Sequence, residues 1–365
     1  MARNEHRFVE GSIPKWSDLK AAKKEWAERL IHKPQVEDAR RVQASAAVSA
    51  RAMTSAVNPE PTANVVGVGI GEKLAGDRPT GTLAVKFLVR MKYAETDLET
   101  KTILPKDIDG MPTDVEEVGL FRRLAATGAA RARRHPHLGG PMPNPRTKIR
   151  PAQPGCSIGF EDPNHQFVMA GTFGALVKNG AAVYVLSNNH VLADENRLPT
   201  GAKIFQPGLL DGGNVATDQI AELTKFIPLQ AQSPNKVDCA IAKLIKQGIA
   251  VRDILFIGAP QGVADAVMDM MVHKFGRTTS YTSGHVTSID TDVTVQYETG
   301  TYTFSEQIII VGHNNIPFSD AGDSGSLILQ RGTNKAVGLL FAGSRSHTIA
   351  NHFSDVLQAL NVTLA

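Results

Sequence analysis

The chain has 365 residues, of which 42% are hydrophobic and 21% charged, so it is long enough for two domains and too apolar for disorder throughout. No run approaches the roughly 18 apolar residues of a membrane helix, and the charged start of the chain lacks a signal-peptide core. Only two cysteines are present, Cys156 and Cys239, which favours buried thiols over a disulfide framework. These features exclude membrane-spanning and disulfide-rich secreted proteins and predict a cytoplasmic location.

The net charge of +3 is distributed unevenly along the chain. Residues 122–150 contain seven arginines, one lysine and no acidic residue. The same stretch is rich in proline and glycine and lacks the aromatic residues that stack on nucleic-acid bases. Its composition fits either a solvated linker, which is favoured, or a binding tail for an acidic partner. A nucleic-acid partner is disfavoured.

Residues 1–60 are predicted to be helical. Ser17 is a candidate N-cap for the first helix. The apolar residues of this helix recur at helical spacing: Leu19, Ala22, Trp26 and Leu30. An Ala- and Arg-rich run at 36–57 predicts a second helix, which the prolines within residues 58–61 end.

Residues 61–125 predict a small α+β domain. Strand-like segments at 64–71 and 82–90 are joined by a turn, and a short helix at 97–103 precedes a strand at 113–118. The glycines at 67, 69 and 71 partly match a dinucleotide-binding loop, which requires a helix directly after it. Because a turn and a strand follow instead, we expect closely packed strand glycines and no nucleotide cofactor.

Residues 126–154 predict a basic Pro/Gly/Arg-rich linker, and residues 155–365 predict the largest domain. In the latter, short apolar runs alternate with turn signals, and helical spacing appears only at residues 354–360. Many short strands without long helices predict a mainly β barrel or sandwich.

The sharpest local pattern is Gly-Asp-Ser-Gly-Ser at residues 322–326. A serine hydroxyl becomes a strong nucleophile only when a base takes its proton, and the resulting oxyanion needs backbone N–H donors. Glycines on both sides of Ser324 allow a tight turn in which the N–H groups of Gly322 and Ser324 converge. The β-type residues that follow differ from the helix that follows the nucleophile elbow of α/β-hydrolases.

His190 and Asp238 are the candidates for the base and its partner. His190 closely follows a predicted apolar strand, where a rigid barrel would hold its ring in place. Asp238 opens another apolar strand, and its carboxylate can accept a hydrogen bond from imidazole Nδ1, which sets the tautomer. The competing aspartates lie in turn-like or polar contexts without a following apolar strand: Asp194, Asp211 and Asp218.

The order His190, Asp238, Ser324 is that of chymotrypsin-like enzymes and differs from the orders in subtilisin-like enzymes and α/β-hydrolases. The chain resembles the trypsin-like serine protease superfamily, especially its non-secreted members with a preceding small domain. The likeness spans about residues 155–365, with weaker similarity in the small domain. The segments that carry it lie at residues 187–193, 206–213, 274–279, 318–327 and 337–344. The implied fold is mainly β, a chymotrypsin-like double β-barrel preceded by a small α+β domain and an N-terminal helical segment.

The implied function is that of a serine endopeptidase which forms an acyl-enzyme on Ser324 and uses no metal or cofactor. His190 would be the general base, Asp238 its orienter, and Gly322 with Ser324 the oxyanion hole. The remaining histidines show no metal-ligand spacing.

The resemblance also implies substrate-binding residues. Phe341, Ala342 and Gly343 resemble the strand that binds the substrate backbone. Phe318 corresponds to the base of the specificity pocket, which predicts an uncharged P1 side chain. Asp323 needs a basic partner, which the sequence does not identify.

We expect a protein or peptide substrate, no membrane partner, and homo-oligomer contacts, if any, through the N-terminal region. The alternative function is a catalytically silent, protease-like scaffold that binds peptides or protein partners. A further interpretation gives residues 1–125 and the basic linker a regulatory role beside an active protease. Flexible Arg-rich chain is readily cut by proteases, and the sequence leaves open whether the protein cuts its own linker.

Overall fold

The computed structural model describes residues 14–32, 61–76, 78–124, 126–127, 142–162 and 168–365. Its contacts divide the chain into two units, Met1–Glu117 and Val118–Ala365. The predicted second helix at 36–57 and residues 128–141 of the predicted linker lie outside the described residues. Within those ranges, no helix is both long and apolar enough to cross a membrane.

The first unit is a small sheet with a helix packed on it. Its strands follow the order β1-β2-β4-β3, in which the β2–β4 pair is parallel and the other two pairs are antiparallel. The predicted helix at 97–103 is replaced by two short 3-10 turns, since so few residues rarely nucleate an α-helix alone. The elements are α1 (Trp16–Leu30), α2 (Pro61–Asn64), β1 (Val65–Ala75), β2 (Arg78–Val89), β3 (Asp107–Ile108), β4 (Met111–Glu117) and the 3-10 turns Glu95–Asp97 and Thr100–Thr102.

Helix α1 buries its apolar face in the core of this unit. The helix begins at Trp16 with Lys15 at the cap position and without a side-chain cap, so the predicted Ser17 cap is wrong. Ser17 lies in the first turn instead, where its Oγ donates a hydrogen bond to Asp18 Oδ1 at 3.0 Å. Packing against the sheet stabilises the helix in place of a cap. The core includes Leu19, Ala22, Ala27, Ile31, Val68, Ile70, Val85 and Phe87.

The second unit begins with a β-barrel of antiparallel strands. The hydrogen-bonded order of its strands is β9-β10-β13-β12-β11-β7-β8. The strands at the two ends of this order, β8 and β9, follow each other directly in the chain, so the sheet closes into a barrel. A one-turn helix, α3, follows β10 directly. The elements are β6 (Ala126–Thr127), β7 (Ser157–Phe160), β8 (Met169–Thr172), β9 (Ala175–Asn179), β10 (Ala182–Ser187), α3 (Asn189–Leu192), β11 (Lys203–Phe205), β12 (Gln219–Phe226), β13 (Ala240–Leu244), β20 (Thr363–Leu364) and the 3-10 turn Leu209–Asp211.

A second barrel follows in the chain and also closes on itself. Its order is β14-β17-β18-β19-β16-β15, and β15 pairs again with β14. The short strand β5 pairs with β15 and β18. The elements are β5 (Arg122–Arg123), β14 (Met271–Gly276), β15 (Ser280–Gln296), β16 (Thr301–Gly312), β17 (Leu327–Gln330), β18 (Ala336–Gly343), β19 (His347–His352), α4 (Phe353–Leu360) and the 3-10 turn His313–Asn315.

Alternating apolar side chains fill each barrel, as expected for strands with one face inward. Cys156 and Cys239 lie buried and unbonded in the core of the first barrel. Burial raises the pKa of the Cys156 thiol to about 12, so it behaves as a small apolar residue. The predicted mainly β, chymotrypsin-like double barrel with an N-terminal helix is therefore confirmed.

The region between the small sheet and the first barrel differs from a free linker where it is described. Strands β5 and β6 belong to the second unit, which begins at Val118. Ala152 is buried, and Arg150 Nη2 donates a hydrogen bond to Gln206 O at 2.8 Å. The basic side chains of this region find acceptors in the protein's own barrel, which anchors residues 142–154 to it.

Candidate active site

His190 lies in the one-turn helix α3, immediately after strand β10. The Asn188 side chain holds this turn by donating from Nδ2 to the backbone oxygen of Asp238 at 2.8 Å. The backbone N–H of His190 donates to Asp238 Oδ1 at 3.3 Å. The imidazole is fully buried. The end of one strand and the start of another therefore fix the ring against the carboxylate.

Asp238 precedes strand β13 and collects several donors. Its Oδ2 lies 2.5 Å from His190 Nδ1 and accepts a hydrogen bond from the Tyr297 hydroxyl at 2.7 Å. Its backbone N–H donates to Asn351 Oδ1 at 3.0 Å. Because a carboxylate only accepts hydrogen bonds, the proton of the neutral imidazole belongs on Nδ1. This tautomer leaves a lone pair on Nε2.

Tyr297 was not predicted from the sequence. Burial, and then the charge of Asp238, raise the pKa of its phenol well above the ordinary value. The hydroxyl therefore stays protonated and acts as a permanent donor to the carboxylate. Its ring also lies edge-on to the imidazole, with 5.7 Å between centroids.

Ser324 lies in the turn before strand β17. Gly322 and Gly325 adopt φ angles of +101° and +90°, which favour glycine. A Cβ on Gly322 would come within 2.3 Å of Thr278 Oγ1. These φ angles and the lack of space for a Cβ at Gly322 explain why glycine is needed on both sides of Ser324.

The structure brings His190 and Asp238 together but does not show a bond from Ser324 to the imidazole. Ser324 Oγ donates to Phe341 O at 3.0 Å. His190 Nε2 is buried and has no hydrogen-bond partner among the described residues.

The two backbone amides predicted to converge do so. The N–H groups of Gly322 and Ser324 both donate to the carbonyl oxygen of Leu124, the latter at 3.5 Å. The intervening Asp323 N–H points to Asp320 O instead, at 3.0 Å. The loop therefore presents a pair of donors to a single oxygen, which is the geometry that stabilises an oxyanion.

Asp323 has the basic partner that the sequence left unnamed. Lys274 Nζ lies 3.2 Å from Asp323 Oδ2, and both side chains are fully buried. The backbone amides of Thr278 and Thr279 donate to Oδ1 at 2.8 and 3.1 Å. Burial alone would raise the pKa of Asp323, but the Lys274 charge and the threonine hydrogen bonds outweigh it and lower that pKa. This ionic cluster fixes the turn that carries Gly322 and Ser324.

The three competing aspartates bind cations elsewhere. Asp194 pairs with Arg197 at 2.5 Å and Asp211 with Arg277 at 2.6 Å. Asp218 pairs with Lys148. Among the described residues, no three His, Cys, Asp or Glu side chains are grouped so that they could hold a metal ion.

The predicted substrate-binding residues lie in the second barrel. Phe341, Ala342 and Gly343 end strand β18, and Phe318 is buried in the same apolar cluster as Leu124. The residues that sequence reasoning missed are Tyr297, Asn351 and Lys274. Lys274 begins one of the segments that carried the resemblance, which was the available signal for it.

Comparisons with known proteins add to this geometry. The model of peptidase family S64 matches residues 183–347, which include His190, Asp238 and Ser324. A glutamic acid specific serine protease, described as using a novel histidine triad in substrate binding, is 20% identical over 59% of this chain and 100% of its own, with a TM-score of 0.42. Thermobifida fusca protease A is 16% identical over 59% of this chain and 99% of its own, with a TM-score of 0.42.

Nocardiopsis protease is 13% identical over 58% of this chain and 99% of its own, with a TM-score of 0.41. No curated protein matches the chain. The residues that match the peptidase family include strands of both barrels and the segments with His190, Asp238 and Ser324. Residues 183–347 are therefore similar to a peptidase family, in agreement with the resemblance to the trypsin-like serine proteases.

Proposed function

We propose that this protein is a serine endopeptidase that hydrolyses peptide bonds of protein substrates. The observation that carries the proposal is the buried contact of His190 Nδ1 with Asp238 Oδ2, on a ring whose Nε2 lacks a partner among the described residues. An unpaired buried polar atom is costly, and in native proteins it often marks a functional group. Here the unpaired nitrogen is the atom that would take a proton from the nucleophile.

In the acylation step, Ser324 Oγ attacks the substrate carbonyl carbon while its proton passes to His190 Nε2. This requires rotation of the hydroxyl away from Phe341 O. The carbonyl oxygen becomes an oxyanion between the amides of Gly322 and Ser324. The imidazolium then gives its proton to the leaving amine, and the carbon–nitrogen bond breaks.

In the deacylation step, water replaces the amine. His190 takes a proton from the water, which attacks the ester carbon, and the same proton returns to Ser324 Oγ as the ester bond breaks. Asp238 stays a carboxylate throughout and stabilises the imidazolium, with Tyr297 donating to it. A carboxylic acid and the free serine are the products.

One observation favours the alternative of a silent scaffold. Ser324 Oγ is bonded to Phe341 O, and its side chain is fully buried. A hydroxyl held in this position would not donate its proton to His190 Nε2. The serine would then stay unactivated, and the protein would only bind peptides.

A fluorophosphonate probe separates the two functions, since only an activated serine is phosphonylated. We expect an adduct at Ser324, found by peptide mass spectrometry, which is lost in Ser324→Ala. Leu124 lies against the oxyanion amides, where it would obstruct the probe. The variant Leu124→Asp is therefore labelled in parallel, because the charge of the aspartate should expel residue 124 from the apolar cluster. Absence of an adduct in both wild type and Leu124→Asp would contradict the proposed function.

Tyr297→Phe tests the support of the carboxylate. The loss of one hydrogen bond to a charged group corresponds to about 1.5–3 kcal/mol, so we expect kcat to fall about 10- to 100-fold with KM nearly unchanged. Steady-state hydrolysis of a fluorogenic peptide measures both constants. Tyr281→Phe is the matched control, because that phenol contacts His273. Equal kcat values for the two variants would remove Tyr297 from the mechanism.

A further inference from the structure

Part of the protein's own chain lies on the strand that resembles a substrate-binding strand. Strand β5 runs antiparallel to β18, with Arg123 opposite Ala342. The N–H of Leu124 donates to Phe341 O at 3.2 Å, and the Leu124 carbonyl oxygen accepts from the oxyanion amides. An added antiparallel strand is a common way for proteins to bind an extended peptide. Leu124 and Arg123 therefore stand in for the P1 and P2 residues of a substrate, the last two residues before the bond that is cut.

The side chain in the P2 position is held by two carboxylates. Arg123 Nε lies 2.5 Å from Glu195 Oε1, and Arg123 Nη2 pairs with Glu298. The side chains of Arg123 and Glu195 are only 9% and 1% exposed, whereas that of Glu298 is 42% exposed. A guanidinium can bind two carboxylates at once because its donors lie in a planar fork. Glu195 and Glu298 are called the acidic subsite below.

The backbone that carries Glu195 has an uncommon conformation. The φ angles of Asp194, Glu195 and Asn196 are +49°, +54° and +73°. Left-handed residues other than glycine are costly and persist only where the surrounding structure enforces them. Here Asn196 N donates to Asn189 Oδ1 at 3.0 Å, and Asn189 Nδ2 donates to Asn196 Oδ1 at 2.7 Å. Since Asn189 directly precedes His190, this turn fixes the position of Glu195 relative to the candidate base.

The turn between β15 and β16 orients the same carboxylate. The N–H and the hydroxyl of Thr299 donate to Glu195 Oε2 at 2.8 and 2.7 Å, and the Glu298 N–H donates to Oε1 at 3.2 Å. Glu298 directly follows Tyr297, whose hydroxyl donates to Asp238. The acidic subsite is therefore built on the segments that hold the candidate catalytic residues.

Burial of Glu195 makes the subsite selective for a cation. A buried carboxylate without a partner is strongly unfavourable, so a substrate with an uncharged P2 side chain would leave Glu195 unpaired. A P2 glutamate would bring a third negative charge beside two carboxylates, and like charges that meet in an interface oppose binding. Arginine fits better than lysine because its fork has donors for both carboxylates, whereas lysine offers one compact charge.

We propose that Glu195 and Glu298 form a P2 subsite that selects protein substrates with arginine before an uncharged P1 residue. This inference rests on the proposed function and names its substrate class. Glu195 supplies most of the selectivity because it is buried. Glu298 supplies less, because it is partly exposed and also pairs with Arg197 at 3.3 Å.

The first experiment compares peptides on a full-length variant with an emptied cleft. In Arg123→Gln/Leu124→Asp, the aspartate should leave the apolar cluster and the glutamine brings no charge to the subsite. The fluorogenic peptides share leucine at P1 and carry arginine, lysine, citrulline or glutamate at P2. Citrulline has nearly the shape of arginine without its charge. We expect kcat/KM to be about 30-fold higher with arginine than with citrulline, intermediate with lysine and lowest with glutamate.

Variants of the subsite test which carboxylate selects the arginine. Added to the emptied-cleft variant, Glu195→Gln should reduce the arginine-to-citrulline ratio of kcat/KM to about threefold or less. Glu298→Gln should reduce it only about threefold, as expected for an exposed ion pair. Glu222→Gln changes an exposed glutamate of the first barrel and is the matched control, which should keep the full ratio. An unchanged ratio in Glu195→Gln would overturn the inference.

Peptide binding gives a second readout that needs no turnover. With Ser324→Ala added to the emptied-cleft variant, fluorescence anisotropy measures Kd for the arginine and citrulline peptides. We expect about 30-fold tighter binding of the arginine peptide. If circular dichroism shows that the emptied-cleft variant is unfolded, the same peptides are tested on Leu124→Asp with Arg123 retained, and the same order is expected. Equal Kd values would show that the ion pair serves only the fold and would refute the subsite.

Fluorophosphonate labelling separates a failure of this inference from a failure of the proposed function. If Ser324 is labelled while the arginine and citrulline peptides bind and react equally, the protein is a serine hydrolase and the P2 subsite is refuted. If no folded variant is labelled and no peptide is cut, the proposed function itself is refuted, whatever the Kd values.

Discussion

Replacement of Asp238 by asparagine should lower kcat by about 10⁴-fold, as expected when the orienting carboxylate of such a triad is neutralised. In the structure, Asp238 Oδ2 accepts from His190 Nδ1 at 2.5 Å and from the Tyr297 hydroxyl at 2.7 Å. An asparagine amide can donate to Nδ1, which would move the imidazole proton to Nε2. The base would then have no lone pair toward Ser324. Steady-state hydrolysis of a fluorogenic peptide measures the effect.

Asp253→Asn serves as the control for this experiment, because Asp253 is exposed. It should keep the kcat of wild type. Circular dichroism of Asp238→Asn should match wild type, since the amide preserves the shape of the side chain. A kcat within tenfold of wild type in folded Asp238→Asn would remove Asp238 from the mechanism.

Lys274→Met should both destabilise the protein and abolish turnover. The substitution leaves the Asp323 carboxylate buried without its cation, and breaking a buried pair typically costs about 3–5 kcal/mol. Asp323 binds the amides of Thr278 and Thr279 and so fixes the turn with Gly322 and Ser324. Loss of this anchor should misplace the oxyanion donors. Urea unfolding measures the free energy, and fluorophosphonate labelling reports the state of the turn.

Two controls make this prediction specific. Lys335→Met changes an exposed lysine and should leave the free energy of unfolding within about 0.5 kcal/mol of wild type. The double variant Lys274→Met/Asp323→Asn removes both charges and should lose less stability than Lys274→Met alone, because no unpaired charge remains. A single variant as stable as Lys335→Met would refute the role of the ion pair.

The same pair predicts a pH dependence of stability. The folded-state pKa of Asp323 lies below its ordinary value of 3.8, so the folded protein binds this proton less readily than the unfolded chain. The stabilisation is fully present above pH 3.8 and is lost as pH falls through the lowered folded-state pKa. As the pH falls through this range, the free energy of unfolding should therefore decrease more steeply in wild type than in Lys274→Met/Asp323→Asn.

The sequence was sufficient to predict the fold class and to locate the candidate side chains. His190 and Asp238 each adjoin a short apolar strand, and Ser324 lies in a glycine turn, so their signals are local in the chain. Strand-length apolar runs that alternate with turns predicted a barrel or a sandwich, and the resemblance to trypsin-like proteases implied the double barrel. The predicted Ser17 N-cap is wrong because the start of α1 is set by packing of the helix on the sheet and not by a capping side chain.

The basic stretch at residues 122–150 shows what composition leaves out. Composition alone makes an Arg-, Pro- and Gly-rich stretch look solvated, but it does not record which acceptors the fold brings near. Arg123 meets Glu195 and Glu298 only after both barrels have formed. A cation that is exposed in the unfolded chain thus becomes almost fully buried in the folded protein.

The sequence by itself determined the mainly β class, the order His190, Asp238, Ser324 and the glycines of the turn, because each depends on neighbouring residues. Only the tertiary structure decided that Tyr297 supports the carboxylate, that Lys274 neutralises Asp323, and that Leu124 reaches the oxyanion amides. These contacts join residues far apart in the chain. Strand register within closed barrels sets such contacts, and no local pattern of residue types encodes that register.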